Sequence, residues 1–243
     1  MNIYFQLHFC IMKEIKSIDW EEANESLDSK GYTIIPSILS QADCQSLTEL
    51  YAKNDLYRST INMQRYRFGK GEYRYFSYPL PTIIQQLRES LYLPLSSLAN
   101  EWMTRLSTET VFPSHHSELI TQCYSRGQVR PTPLILRYET GGFNTLHQDL
   151  YGEVYFPFQV VFVLNEGEKD FEGGEFVLIE QLPRAQSKVE VLKPHQGDAL
   201  IFTTNFRPVK GTRGFYRAKI KHGISPLRSG IRYALGIIFH DAS

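Results

Sequence analysis

The spacing of apolar residues changes character near residue 130. Upstream it follows the helical period. Ile18 to Lys30 predicts a helix stopped by Gly31, and Tyr32-Thr33-Ile34-Ile35-Pro36 predicts a short strand. Ser40-Gln41-Ala42-Asp43 has the form of a capping box, opening a helix through Leu47, Leu50 and Tyr51. Residues 82–106 predict a helix interrupted at Pro94, where the backbone lacks a donor, and residues 114–125 another that ends before Gly127. Downstream come short runs rich in Val, Ile, Phe and Tyr: Leu134–Tyr138, Phe158–Leu164, Glu175–Ile179, Val189–Leu192, Ala199–Phe202, Phe215–Ile220 and Tyr233–Phe239. Gly141-Gly142, Gly173-Gly174, Gly197-Asp198 and Gly230 punctuate them. Many short strands without long helices between them predict an α+β protein. Its core would be a jelly-roll, a cupin-like barrel, braced by N-terminal helices. Residues 13–130 form the mainly helical support region of this reading and 131–243 the barrel.

Composition narrows the picture. With 243 residues, 42% of them hydrophobic, the chain can bury one sizeable core. Formal net charge is zero, so bulk electrostatics point to neither a nucleic acid nor a membrane. Cys10, Cys44 and Cys123 are odd in number and widely spaced, which gives no disulfide framework and fits the cytoplasm. Residues 1–12 are apolar but too few to span a bilayer and lack a basic flank. They read as a floppy leader, with Met12 a second candidate start and no membrane partner.

The chemistry concentrates in four residues. Side chains alternate faces along an extended segment, so His147 and Asp149 project together and can grip one ion. His222, far down the chain, can return from another strand as a third ligand. Two imidazoles and one carboxylate suit a non-haem Fe(II) oxygenase, because they leave positions on the metal open. Arg232 would supply a fixed two-pronged cation for a carboxylate.

Two stretches carry a family likeness. Arg137-Tyr138-Glu139-Thr140-Gly141 followed by Leu146-His147-Gln148-Asp149 is similar to the motif of AlkB-type nucleic-acid dealkylases. From Gly31 onward the chain resembles a bacterial family of Fe(II)/2-oxoglutarate-dependent oxygenases grouped with oxidative repair of alkylated DNA. The segments carrying that resemblance include GEYRYF (71–76), RPTPLILRYETGGFNTLHQDLYGE (130–153), GGEFVLIEQLPR (173–184) and LGIIFHDA (235–242). The resemblance implies a double-stranded β-helix, with His147, Asp149 and His222 as iron ligands. It implies further that Arg232 holds the distal carboxylate of 2-oxoglutarate and that Tyr138 hydrogen-bonds the same cosubstrate, with O2 the co-reactant. Two positions depart from the AlkB pattern: Leu136 replaces a cosubstrate-binding asparagine, and Ile238 replaces a second arginine.

The remaining histidines predict structure rather than chemistry. His240 and Asp241 read as a polar cap, His115 and His116 as exposed residues at a helix start, and His195 as part of a loop. Substrate class rests on local charge. Residues 184–232 hold eleven Arg or Lys against Glu190 and Asp198. The run from Arg207 through Lys210, Arg213 and Arg217 to Lys221 leads into His222, which predicts cations at the mouth of the metal site. A second basic and aromatic stretch includes Arg65, Arg67, Tyr73 and Arg74, and offers stacking faces with phosphate contacts. Together these favour a flipped or single-stranded damaged base. Hydroxylation of a protein side chain, an amino acid or a small metabolite stays open, as does a non-enzymatic binding module.

Overall fold

A computed structural model describes residues 14–243; the leader predicted over residues 1–12 lies outside them. Helix α1 (Trp20–Lys30) starts where Asp19 accepts from the backbone N–H groups of Glu21 and Glu22, each at 3.1 Å. It stops at Gly31, whose φ of 81° is left-handed and whose N–H reaches the Leu27 carbonyl at 2.8 Å. Strand β1 (Tyr32–Ile35) follows, then α2 (Gln41–Leu50) with the expected capping box between Ser40 and Asp43. Helix α3 (Thr82–Arg105) runs through Pro94 without interruption. Leu87, Leu91, Leu95, Leu98 and Trp102 are all buried along it, and that packing outweighs the lost backbone donor. Helix α4 (His116–Ser125) completes the helical layer.

The support region is less helical than its sequence predicts. It contains β2 (Tyr57–Asn62), β3 (Gly69–Lys70) and β4 (Glu72–Phe76). Downstream lie β5 (Leu134–Glu139), β6 (Phe143–His147), β7 (Phe158–Val163), β8 (Phe171–Gly173), β9 (Phe176–Gln181) and β10 (Lys188–Leu192). They are followed by β11 (Ala199–Thr203), β12 (Phe206–Gly211), β13 (Gly214–Ile224) and β14 (Leu227–Ile238). An eight-stranded sheet has the order β1-β11-β7-β14-β5-β4-β2, with β8 on β14. A six-stranded sheet has the order β10-β9-β13-β6-β3, with β12 on β13. Every strand pairing is antiparallel, as a jelly-roll requires.

Strand β7 shows how the layers divide. Its six residues, Phe-Gln-Val-Val-Phe-Val, are all buried, because helices cover one face and the barrel interior the other. Phe158, Val160 and Phe162 pack outward with Leu91, Leu95 and Trp102. Val161 and Val163 turn inward with Tyr138, Phe176, Leu178 and Phe202. No helix among the described residues is long and apolar enough to cross a membrane.

The polar residues at the C-terminus form a structural cap, as expected. Arg88 of α3 and Asp241 are both fully buried and ion-paired at 2.7 Å. His240 accepts from the Phe156 N–H at 3.2 Å. His115 is exposed, but His116 is not. His116 is buried, with its Nε2 on the Phe239 carbonyl at 2.8 Å and its ring edge-on to Tyr92. A helix start that packs under the last strand leaves no room for solvent there. His195 is exposed on its loop, beside Glu166 at 3.1 Å.

Candidate metal and cosubstrate site

Register brings the first two candidate ligands together. His147 ends β6 and lies directly opposite His222 of β13, with the imidazole centroids 4.2 Å apart. Asp149 follows two residues beyond His147 and points the same way. Its Oδ1 is 3.6 Å from His147 Nε2 and its Oδ2 is 3.3 Å from His222 Nε2. The donor atoms of all three residues lie within 4.8 Å of one another. His147 Nδ1 donates to the Thr145 carbonyl at 2.7 Å, which turns Nε2 toward Asp149 and the shared ligand position. Phe176 stacks on the His222 ring at 5.7 Å, and Phe202 packs against it at 4.7 Å. These rings hold the imidazole in place and exclude water.

The carboxylate has its own support. Tyr151 donates to Asp149 Oδ1 at 2.6 Å, and Tyr75 hydrogen-bonds the Tyr151 hydroxyl at 3.0 Å. Burial acts to raise the Asp149 carboxyl. The neighbouring His147 charge and the hydrogen bonds from His222 and Tyr151 outweigh it and hold the group well below the usual carboxylate range. Burial and the Asp149 charge push the Tyr151 hydroxyl far up, so it stays a donor. Sequence reading missed Tyr151 and Tyr75. Tyr151 sits on the same alternation as His147 and Asp149, which is the signal that was available.

Arg232 of β14 lies in register with Tyr138 of β5, inside the barrel. It is 2% exposed, and its guanidinium forms no hydrogen bond or ion pair with a described residue. It lies 5.9 Å from each of the Tyr138 and Phe171 ring centres. Burial pushes its pKa down, with Tyr138 opposing. The Tyr138 hydroxyl is likewise buried without a partner. Two glycines make room for this pair. A Cβ on Gly71, at φ 155°, would come within 2.8 Å of the Tyr138 ring, and one on Gly174, at φ 63°, within 3.1 Å of Arg232 Cδ. A cavity of about 230 Å³ joins Arg232 and Tyr138 to the two histidines and Asp149. These residues fit both groups. Three convergent N and O donors match Fe(II), and an unpaired buried cation beside an unpaired hydroxyl matches a dicarboxylate.

The candidate substrate residues separate into two groups. In β13, Ala218, Ile220 and His222 face the interior while Arg217 and Lys219 are exposed. The cations of that strand therefore occupy the face opposite the metal, contrary to the sequence expectation. Arg217 lies over Phe206 at 4.7 Å. Lys210 is exposed and Arg213 stands in the hairpin turn, roughly 30 Å from His222 along an extended strand. Arg207 does face inward but is committed to Glu180 at 2.5 Å and the Asp28 carbonyl at 2.8 Å. Arg74 is similarly tied to Glu72, the Tyr51 carbonyl and Asn54. By contrast Tyr73 lines the cavity. Arg65 and Arg67 are exposed and form no ion pair with a described residue. Between and beside them Tyr66 and Phe68 stack at 5.5 Å, and Phe68 lines the cavity as well.

Comparison with known proteins places this geometry. An oxidoreductase of the 2-oxoglutarate-Fe(II) oxygenase family from Burkholderia pseudomallei superposes with a TM-score of 0.55 at 15% identity, covering 93% of this chain and 94% of that one. A prolyl-4-hydroxylase from Pseudomonas putida gives 0.53 at 15% identity, covering 92% and 99%. The fold is thus the double-stranded β-helix of the Fe(II)/2-oxoglutarate oxygenases. An uncharacterised Mycobacterium tuberculosis protein is 45% identical over 168 residues, 69% of this chain and 72% of that protein. A family model described as an oxygenase catalysing oxidative methylation of damaged DNA matches residues 71–242, and the chain belongs to that oxygenase family. It is an enzyme whose cofactor and cosubstrate are Fe(II) and 2-oxoglutarate.

Proposed function

We propose that the protein oxidatively demethylates N-alkylated bases in single-stranded or damaged nucleic acid, in the cytoplasm. The observation that carries this reading is the rim. An exposed, stacked Tyr66–Phe68 pair flanked by the unpaired Arg65 and Arg67 stands where Phe68 enters the wall of the metal cavity. Aromatic faces for bases beside free cations for phosphates are what a strand-binding surface needs, and the cavity behind them would receive an extruded base. The family description, with its damaged DNA, supports the same substrate class.

In this reading His147, Asp149 and His222 hold iron. Arg232 takes the distal carboxylate of 2-oxoglutarate through its two-pronged donor, and Tyr138 donates to the same cosubstrate. Iron with 2-oxoglutarate supplies O2 activation coupled to decarboxylation, yielding succinate and CO2 as a substrate C–H bond is oxidised. Tyr151, anchored by Tyr75, restrains Asp149 so that one carboxylate oxygen is held by the protein. Phe176 and Phe202 fix His222 and keep the site dry. When the oxidised carbon is an N-methyl group, one oxygen atom enters it, the C–N bond then breaks, and formaldehyde leaves with the free amine.

The test is formaldehyde release from short single-stranded oligonucleotides carrying one N-methylated base, with the His147→Ala protein as control. Binding should weaken steeply as salt rises. Reversing Arg65 and Arg67 to Glu should weaken it further while sparing uncoupled 2-oxoglutarate turnover. Salt-insensitive binding with no formaldehyde from any N-methylated base would transfer the reading to hydroxylation of a protein side chain or small metabolite.

A further inference from the structure

The cavity wall holds a polar side chain that neither the candidate iron ligands nor the cosubstrate pair uses. Gln159 is the one polar residue of β7. It is 3% exposed, lines the cavity, and its Nε2 meets no acceptor among the described residues. Its register neighbours on the inner face are Phe202 of β11 and Ile238 of β14, and neither can satisfy an amide. Both lead to the metal end. Phe202 packs on His222 at 4.7 Å, and Ile238 clusters with Tyr75, which reaches Asp149 through Tyr151. Arg232 lies on the same strand as Ile238, roughly 20 Å back along it. Gln159 therefore lies toward the end of the cavity where His222 and Asp149 converge, away from Arg232. Native proteins seldom leave a buried amide unpaired, since its desolvation goes uncompensated until a partner arrives.

We propose that Gln159 is a specificity-determining residue whose partner is the substrate. It would pair with the edge of a ring-methylated base that keeps an exocyclic amine beside a ring acceptor. The inference rests on the nucleobase reading above and adds which bases fit. A carboxamide places one acceptor and one donor in a plane, and glutamine makes such a two-bond pair with adenine. A base with only carbonyls beside its methylated nitrogen can accept from Nε2 but offers no donor to the carboxamide oxygen, so it makes one of the two bonds and leaves that oxygen unsatisfied. That kind of mismatch discriminates far better than a difference in size.

The experiment measures kcat/KM for formaldehyde release from two oligonucleotides, one carrying N1-methyladenine and the other N3-methylthymine. Wild type is compared with Gln159→Met, and with Gln159→Leu should the first variant fold poorly. Wild type should favour the methyladenine strand by about tenfold or more, and the variants should lose that preference by losing activity on methyladenine. Their KM for 2-oxoglutarate should stay within about twofold of wild type. The ligand-free variants should melt no lower than wild type, because an unsatisfied amide has been removed; a merely structural glutamine would give a lower Tm. An unchanged preference in variants that still turn over both strands would overturn the role of Gln159 and leave the proposed function standing. A raised 2-oxoglutarate KM with the preference intact would reassign the residue to the cosubstrate and overturn it equally. Absence of formaldehyde from wild type on both strands would overturn the nucleobase reading, and this inference with it.

Discussion

Arg88 and Arg232 are both almost fully buried, at 0% and 2% exposure, yet the fold treats them in opposite ways. Arg88 donates to the Ile238 and Phe239 carbonyls, Tyr78, Thr132 and Asp241, at distances from 2.7 to 3.4 Å. Three of its acceptors, Ile238, Phe239 and Asp241, lie on the last strand and the segment behind it, so the arginine locks α3 onto the barrel. Arg232 has the same chemistry and the same burial but no anion among the described residues. An unpaired buried cation is costly and persists where something outside the chain completes it. The first arginine is part of what holds the fold together. The second is the arginine we propose as the cosubstrate anchor, recognisable by what it lacks.

That contrast can be broken by experiment, beginning with the larger effect. Arg88→Met should strand the Asp241 carboxylate in the interior and cost about 3–5 kcal/mol of stability, read from urea denaturation. The folded fraction should still bind 2-oxoglutarate normally. In the ligand-free protein Arg232→Met should be neutral or stabilising, since it removes a charge that had no partner. Similar losses in both variants would dissolve the distinction.

The Arg88 region also predicts a pH response. Burial, helped by the Arg88 charge, lowers the His116 pKa from its ordinary 6.5 to about 3. Because the folded value is depressed, protonation of His116 does not change stability above pH 6.5. Below it the unfolded chain takes up a proton that the folded one refuses, and stability falls until the pH reaches about 3. At pH 5 this amounts to roughly 2 kcal/mol. The gap between wild type and His116→Gln, followed by thermal melting from pH 8 downward, should shift by that amount against wild type. A constant gap would show that His116 ionises freely in the folded protein.

Tyr138 offers the smallest effect. Its hydroxyl is buried without a partner, so Tyr138→Phe should leave ligand-free stability unchanged or slightly raised. The same variant should weaken 2-oxoglutarate binding by about 0.5–1.5 kcal/mol, the worth of one hydrogen bond. A loss of stability with unchanged affinity would make Tyr138 a packing residue alone.

The candidate site was more legible in the sequence than the fold around it. His147, Asp149, His222 and Arg232 stood out because few chemistries need those side chains together and strand alternation fixes the first pair. Strands β2 to β4 are hard to read from sequence because polar and charged residues break their apolar pattern and their burial depends on partners distant in sequence. The helical break at Pro94 failed because a row of buried leucines outweighed one missing hydrogen bond. The basic run from Arg207 to Lys221 does not border the metal, because a strand splits its side chains between two faces. The alternation that turns His222 inward turns Arg217 and Lys219 outward, and the sequence contained that parity. Gln159, Tyr75 and Tyr151 gain meaning only from neighbours on other strands.

The most direct test of the account is an anaerobic titration of 2-oxoglutarate into the Fe(II)-loaded protein, comparing wild type with Arg232→Ala and Arg232→Lys. Loss of the buried charged fork should weaken binding in the alanine variant by about 2–5 kcal/mol, while Fe(II) affinity stays unchanged. Lysine should restore only part, because it presents a point charge in place of two fixed donors. Equal 2-oxoglutarate affinity in wild type and Arg232→Ala would contradict the assignment of this buried, unpaired arginine to the cosubstrate.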